Sequence, residues 1–284
     1  MSDPNVTPFD RLPERFAEGL RSLSDKPVEP RPAATIVLLR DTDVGVEVLL
    51  LRRNRSAGFV PGAYVFPGGR VDGSDATEEL LTFVDGLTAE AAAKRLGLVD
   101  GDPPAIAYYL ASVREAFEET GILVGRDTNG DEPVTAKENE QVDATRDDLM
   151  EDRISFAQVL GQLDCRIDGA SCEYLAHWIT PKPEPRRYDT RFFAAKVREG
   201  ATPIVDAREM TDAIWITPVA ALARCDEGTL PMVFPTIKML EQLRGYGTAD
   251  EMLTSLAGQS VRTIMPTLVI TESGVRLELD EDEE

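Results

Sequence analysis

Three glutamates crowd one short stretch of the chain. In Arg114-Glu115-Ala116-Phe117-Glu118-Glu119-Thr120-Gly121, Glu118 and Glu119 follow Glu115 by three and four positions. Positions at that spacing share one face of an α-helix. The pattern therefore gathers three carboxylates at a helix end. Standing alone, such an arrangement is unfavourable, because like charges repel at this spacing and the C-terminal end of a helix disfavours anions. Arg114 offsets part of that cost by pairing with Glu118, four residues on. Clustered hard oxygen donors suit Mg²⁺ or Mn²⁺, which bind protein carboxylates together with substrate phosphates. Taken by itself, the helix fits a solvated acidic face equally well.

A second segment shifts that balance. Gly58-Phe59-Val60-Pro61-Gly62-Ala63-Tyr64-Val65-Phe66-Pro67-Gly68-Gly69-Arg70-Val71-Asp72 precedes the glutamates. Its adjacent Gly68 and Gly69 permit a tight turn and a close backbone approach to a phosphate. A glycine pair on its own marks any ordinary turn.

Together the two segments resemble the signature of the Nudix hydrolase superfamily. That signature runs from a glycine, through a glutamate six positions on, to Arg-Glu-x-x-Glu-Glu-x-Gly. Gly69 matches the opening glycine, and Arg114, Glu115, Glu118, Glu119 and Gly121 match the second half. The chain departs from the pattern in two ways: Asp75 stands in the glutamate's place, and a long insertion separates it from Arg114. The interrupted signature, the loop before it and Arg187-Tyr188-Asp189-Thr190-Arg191-Phe192-Phe193 resemble the subgroup of the mammalian peroxisomal CoA diphosphatases. Gly62 and Phe66 to Gly69 also reproduce the bacterial CoA-pyrophosphatase motif Gly-x-x-x-Phe-Pro-Gly-Gly, although Gly58 replaces its arginine.

The resemblance implies a Mg²⁺- or Mn²⁺-dependent diphosphatase with Glu115, Glu118 and Glu119 as metal ligands and catalytic groups. Glu209 lies where many Nudix enzymes place a further functional glutamate, and a solvated loop charge is its equal alternative. The substrate expected from the subgroup is CoA or acyl-CoA. Other nucleoside diphosphate derivatives (NADH, ADP-ribose, a nucleotide sugar) form the second reading, and a non-catalytic ligand-binding module the third. The candidate substrate contacts are Arg52, Arg53, Phe66, Gly68, Gly69, Arg70 and Arg191. Arg55 belongs to the first arginine group, while Arg186 and Arg187 accompany Arg191 in a second. Guanidinium groups suit phosphates through bidentate contacts. Phe59, Tyr64 and Trp178 are aromatic groups able to stack on adenine, and each is also an ordinary core residue.

Composition narrows the partners. A formal charge of -21 over 284 residues opposes general binding to nucleic acid or anionic membranes. A small anionic substrate stays compatible with it, because a metal ion and a few arginines reverse the sign locally. Three cysteines without metal-ligand spacing read as reduced thiols. With no apolar leader and no long apolar run, the expected location is cytoplasmic. His177 is the sole histidine and sits in a strand-like stretch, so the chemistry must rest on carboxylates.

These groups need a scaffold. Residues 1–32 read as a tail with a short helix near 12–23. Residues 33–40 and 46–53 form a hairpin, and 63–66 a short strand. Helices are expected within 76–104, over 105–120 and over 155–163, with the polar stretch 125–152 as an excursion. Residues 172–179, 191–197 and 213–216 have strand character, and a short helix follows at 218–222. Helices at 231–244 and 249–256 precede a hairpin of 267–271 with 275–279. The apolar C-terminal hairpin and helices are compatible with a homodimer. The expected fold is α+β, an α/β/α sandwich of the Nudix type with a mixed sheet between helices. Its core spans 33–225 with inserts at about 76–104 and 125–165, and 226–284 follows as C-terminal helices and hairpin.

Overall fold

The fold was obtained as a computed structural model, which describes residues 7–8, 27–54, 61–182, 184, 186–205, 209–272 and 274–279. The tail helix expected near 12–23 lies outside these residues, as do Arg55, Gly58 and Phe59. In chain order the strands are β1 (Thr7–Pro8), β2 (Arg31–Thr42), β3 (Gly45–Arg53), β4 (Tyr64–Val65), β5 (Gly68–Arg70), β6 (Val84–Asp85), β7 (Arg126–Asp127), β8 (Cys165–Asp168), β9 (Glu173–Ile179), β10 (Tyr188–Lys196), β11 (Met210–Ile216), β12 (Thr263–Ile264), β13 (Thr267–Ile270) and β14 (Gly274–Glu278). The helices are α1 (Glu78–Leu81), α2 (Ala89–Leu96), α3 (Ala105–Thr120), α4 (Glu140–Met150), α5 (Phe156–Gln162), α6 (Pro218–Asp226), α7 (Phe234–Leu243) and α8 (Ala249–Leu256).

The main sheet runs β11-β3-β2-β10-β9-β12, with β4 added to β3 and β5 added to β2. β2 lies parallel to β10 and antiparallel to β3, so the sheet is mixed. Its central strand reads as a continuous apolar run because both faces are covered. Ile36 and Leu38 face one core with α3, whereas Val37 and Leu39 face the other. The first core also takes residues from α1, α2, α4 and α5; the second takes them from α6, α7 and α8. The α/β/α sandwich expected from the sequence is therefore present, and the C-terminal helices supply its second layer.

One segment departs from expectation. The acidic stretch 125–152 is not all excursion, because α4 forms within it, capped by the Asn139 side chain on the N–H groups of Gln141 and Val142. This helix buries Val142, Thr145, Arg146 and Leu149. A strand at Cys165–Asp168 was also not anticipated; it joins β6 and β7 in a small separate sheet.

Candidate active site

The carboxylates stand on α3. Pro103 and Pro104 precede it, and Gly121 ends it in the left-handed conformation (φ 67°), its N–H donating to the Phe117 carbonyl. Of its sixteen residues, Glu115 and Glu118 alone are not fully buried. A helix this enclosed cannot shift its glutamates by sliding, since both sides are packed.

Arg114 organises the charge. Only 7% exposed, it uses every N–H of its guanidinium. Nε and Nη2 donate to the two oxygens of Asp75 (2.7 and 3.0 Å), and Nη2 donates also to the Arg70 carbonyl (2.9 Å). Nη1 donates to Glu115 (2.9 Å) and Glu118 (3.0 Å). The expected pairing of Arg114 with Glu118 is present, but the bidentate partner is Asp75. Asp75 is 1% exposed and sits in a 3₁₀ turn (Gly73–Ala76), where it also accepts the Asp72 N–H at 2.8 Å. The aspartate that looked like a departure from the family pattern is the anchor of the arginine.

The glycine loop meets the helix directly. The Gly68 N–H donates to Glu119 Oε2 at 2.9 Å, and β5 places Gly69 against the Glu115 carboxylate. A Cβ on Gly69 would overlap that carboxylate, and one on Gly68 would overlap the Ala34 carbonyl and Thr35 of β2. Here glycine is required for close approach. The two halves of the interrupted motif are thus joined in space despite the insertion.

The carboxylates are poorly compensated. Burial pushes Glu115 up to about 7, with Glu118 and Asp75 adding to the rise and Arg114 opposing it. Burial, then the Glu115 charge, holds Glu119 well above the usual carboxylate range, against the Gly68 N–H and Arg53. Glu118 is raised, chiefly by burial, with Arg114 opposing. Such anions call for another cation. Among the described residues, the acidic groups do not converge into a ready-made metal cage. Glu118 has Asp75 and Asp72 as acidic neighbours, whereas Glu119 has Glu115 and Glu209. Magnesium is commonly bound through one or two carboxylates plus water and substrate phosphate. The hard oxygen donors of Glu115 and Glu119 fit that demand.

The remaining candidates separate clearly. Glu209 is exposed just before β11, its carbonyl accepts the Asn54 N–H, and its charge acts on Glu119. Arg53 is partly buried on β3 and its charge also reaches Glu119. Arg52 lies 5.8 Å from the Tyr64 ring, and Tyr64 donates its hydroxyl to Asp212. Arg70 is exposed, with its carbonyl held by Arg114.

Arg191, expected among the substrate contacts, is instead 4% exposed. It pairs with Asp189 and stacks 4.3 Å over Tyr108. Asp189 also meets His177 (2.6 Å), which in turn meets Thr263 (2.8 Å), so the single histidine is structural. Arg187 is buried on the carbonyls of Thr180 and Val28. Phe66, Tyr64 and Trp178 are core residues of the second layer. Sequence reasoning left Asp75 out of the site and missed Arg146, which donates to carbonyls at the end of α3.

Two clefts lie elsewhere, one lined by Tyr174, Met239 and Arg262, the other by Arg126, Lys196 and Asp250. Neither includes a glutamate of α3.

The family model of the NUDT19 Nudix domain matches residues 24–243. The acyl-coenzyme A diphosphatase NUDT19 of Xenopus laevis is 26% identical over 263 residues, covering 81% of this chain and 68% of that protein. The Homo sapiens protein of the same name is 26% identical over 262 residues, covering 81% of this chain and 70% of that one. A crystal structure of a Nudix hydrolase from Alicyclobacillus acidocaldarius superposes with a TM-score of 0.66 at 29% identity, over 82% of this chain and 99% of that one. The chain belongs to the NUDT19-type Nudix hydrolase family.

Proposed function

We propose that the protein hydrolyses the diphosphate bond of CoA or acyl-CoA with Mg²⁺ or Mn²⁺, releasing 3′,5′-ADP and (acyl-)phosphopantetheine. The observation that carries the reading is the junction of Gly68 and Gly69 with Glu119 and Glu115, which sets two poorly compensated carboxylates beside a bare backbone. The named relatives, acyl-CoA diphosphatases, support the choice of substrate.

A divalent cation, when bound, neutralises the diphosphate oxygens and makes phosphorus more open to attack by water. The chain's own part is to hold and position. Glu115 and Glu119 are the ligands that fit the cation, and Arg114, fixed by Asp75, keeps Glu115 and Glu118 in place. Arg53 offers a guanidinium to the substrate phosphates. Glu209 takes the proton of the attacking water as its oxygen bonds to phosphorus and the bridging P–O bond breaks. Positioning and charge stabilisation supply most of the rate in such chemistry.

Incubation with CoA and Mg²⁺, with products resolved by chromatography, tests the reading. Formation of 3′,5′-ADP and phosphopantetheine is expected. Intact CoA beside rapid cleavage of NADH or ADP-ribose contradicts it.

A further inference from the structure

The insert helix α4 reaches the end of the glutamate helix. Arg146 on α4 is 3% exposed, and its Nε donates to the carbonyls of Phe117 (3.2 Å) and Glu118 (2.7 Å). These are carbonyls of the last turn of α3, where the backbone ladder runs out of N–H donors; that of Phe117 also accepts the Gly121 N–H. Around them, the Gly121 N–H donates to Phe117, the Thr120 hydroxyl to Ala116, and the Ile204 N–H to the Thr120 carbonyl. Arg146 is the charged member of this cap. On its own helix Asp143 and Asp147 are each 3.9 Å away, the first part-exposed and the second exposed.

The placement answers the problem posed by the sequence. Three anions occupy the end of a helix whose dipole already concentrates negative charge there. Arg114 balances Glu115 and Glu118 from the side. Arg146 sets a second buried guanidinium on the backbone that joins Glu118 to Glu119. A buried cation at a helix C-terminus opposes the dipole most strongly when solvent does not screen it.

We propose that Arg146 is a positioning residue for the hydrolysis: from the insert helix it fixes the last turn of α3, and so sets the affinity of Glu115 and Glu119 for the divalent cation. The proposal rests on the metal-dependent reading above and extends it to a residue that touches neither cation nor substrate.

Mn²⁺ binding to the full chain, followed by electron paramagnetic resonance well below the melting temperature, tests it without turnover. Arg146→Met is expected to weaken Mn²⁺ binding on the order of ten-fold, the usual effect of losing a group that orients metal ligands. Arg146→Lys, which keeps the charge with a poorer fit, is expected to fall between the two. Thr145→Val, a buried change on the same helix whose hydroxyl donates to the Gln141 carbonyl, controls for general loosening. It should bind Mn²⁺ within about two-fold of the wild type, well short of the expected Arg146 effect. A folded Arg146→Met that binds Mn²⁺ as tightly as the wild type overturns the proposal. If that variant does not fold by circular dichroism, Arg146→Lys carries the criterion: Mn²⁺ binding as tight as that of the wild type overturns the proposal. Glu119→Gln separates the two levels: should it bind Mn²⁺ unchanged, the metal platform itself fails, whatever Arg146 does.

Discussion

Asp75→Asn removes one charge and almost no volume from the most enclosed ion pair at the site. Asp75 is 1% and Arg114 7% exposed, and two short hydrogen bonds join them. Removing one partner of a buried pair costs about 3–5 kcal/mol; Glu115 and Glu118 still face Arg114, which places the expected cost toward the lower end. At about 2–4 °C per kcal/mol for a chain of this size class, the melting temperature should fall by roughly 6–20 °C. Function should suffer beyond stability, because Arg114 would lose the partner that holds it while it serves Glu115 and Glu118. A shift of about 1 Å in those carboxylates is worth on the order of a hundred-fold in rate. Asp75→Glu, which adds a methylene inside a packed turn, should cost about 1–3 kcal/mol. Thermal unfolding followed by circular dichroism gives the stability, and kcat/KM for CoA at a temperature where each variant is folded gives the rate. If Asp75→Asn melts with the wild type and turns over at the same rate, the role assigned to Asp75 is refuted.

Gly69→Ala should leave far-ultraviolet circular dichroism unchanged while lowering kcat/KM about a hundred-fold, because its Cβ displaces the Glu115 carboxylate by a fraction of a bond length or more. Wild-type turnover in that variant would show that the close approach is dispensable. For Glu115, the folded state keeps a proton up to about pH 7 that an ordinary glutamate loses near 4.5. The folded state thus binds more protons in that window, and stability without metal falls as pH rises through it. Mn²⁺ should therefore raise the melting temperature more at pH 8 than at pH 5; an equal gain at both would contradict this. Burial pushes the Cys165 and Cys172 thiols up to about 11 and about 12, while Cys225 is raised and only partly buried. Iodoacetamide at pH 8 should label Cys225 first in the native protein, and peptide mapping that finds Cys172 first would overturn the packing around it.

Much of the scaffold was legible where punctuation is strong. Pro103, Pro104 and Gly121 bracket α3 so tightly that its expected and observed bounds coincide. The β2–β3 hairpin and α8 were equally plain from apolar spacing. The acidic insert was not, because α4 buries Thr145 and Arg146 beside Val142 and Leu149, and polar residues at core positions erase the helical pattern. The same cause hid the Arg146 cap: its burial depends on carbonyls of another helix, which no local spacing reveals. Asp75 was noticed only as a mismatch in side-chain length, since the 3₁₀ turn that carries its carboxylate to Arg114 left no clear mark. Arg191 and Phe66 show the opposite error. Both sit in motif-like stretches, yet Arg191 falls in a run of β10 that is buried residue after residue and Phe66 packs into the second core.

A crystal structure with Mn²⁺ and a non-hydrolysable CoA analogue tests the central claim most directly, with anomalous scattering marking the ions. Ions bonded to Glu115 and Glu119, sharing oxygens of the analogue's diphosphate and faced by Arg53, are the predicted result. Ions absent from both carboxylates, or a diphosphate bound away from them, would contradict the account.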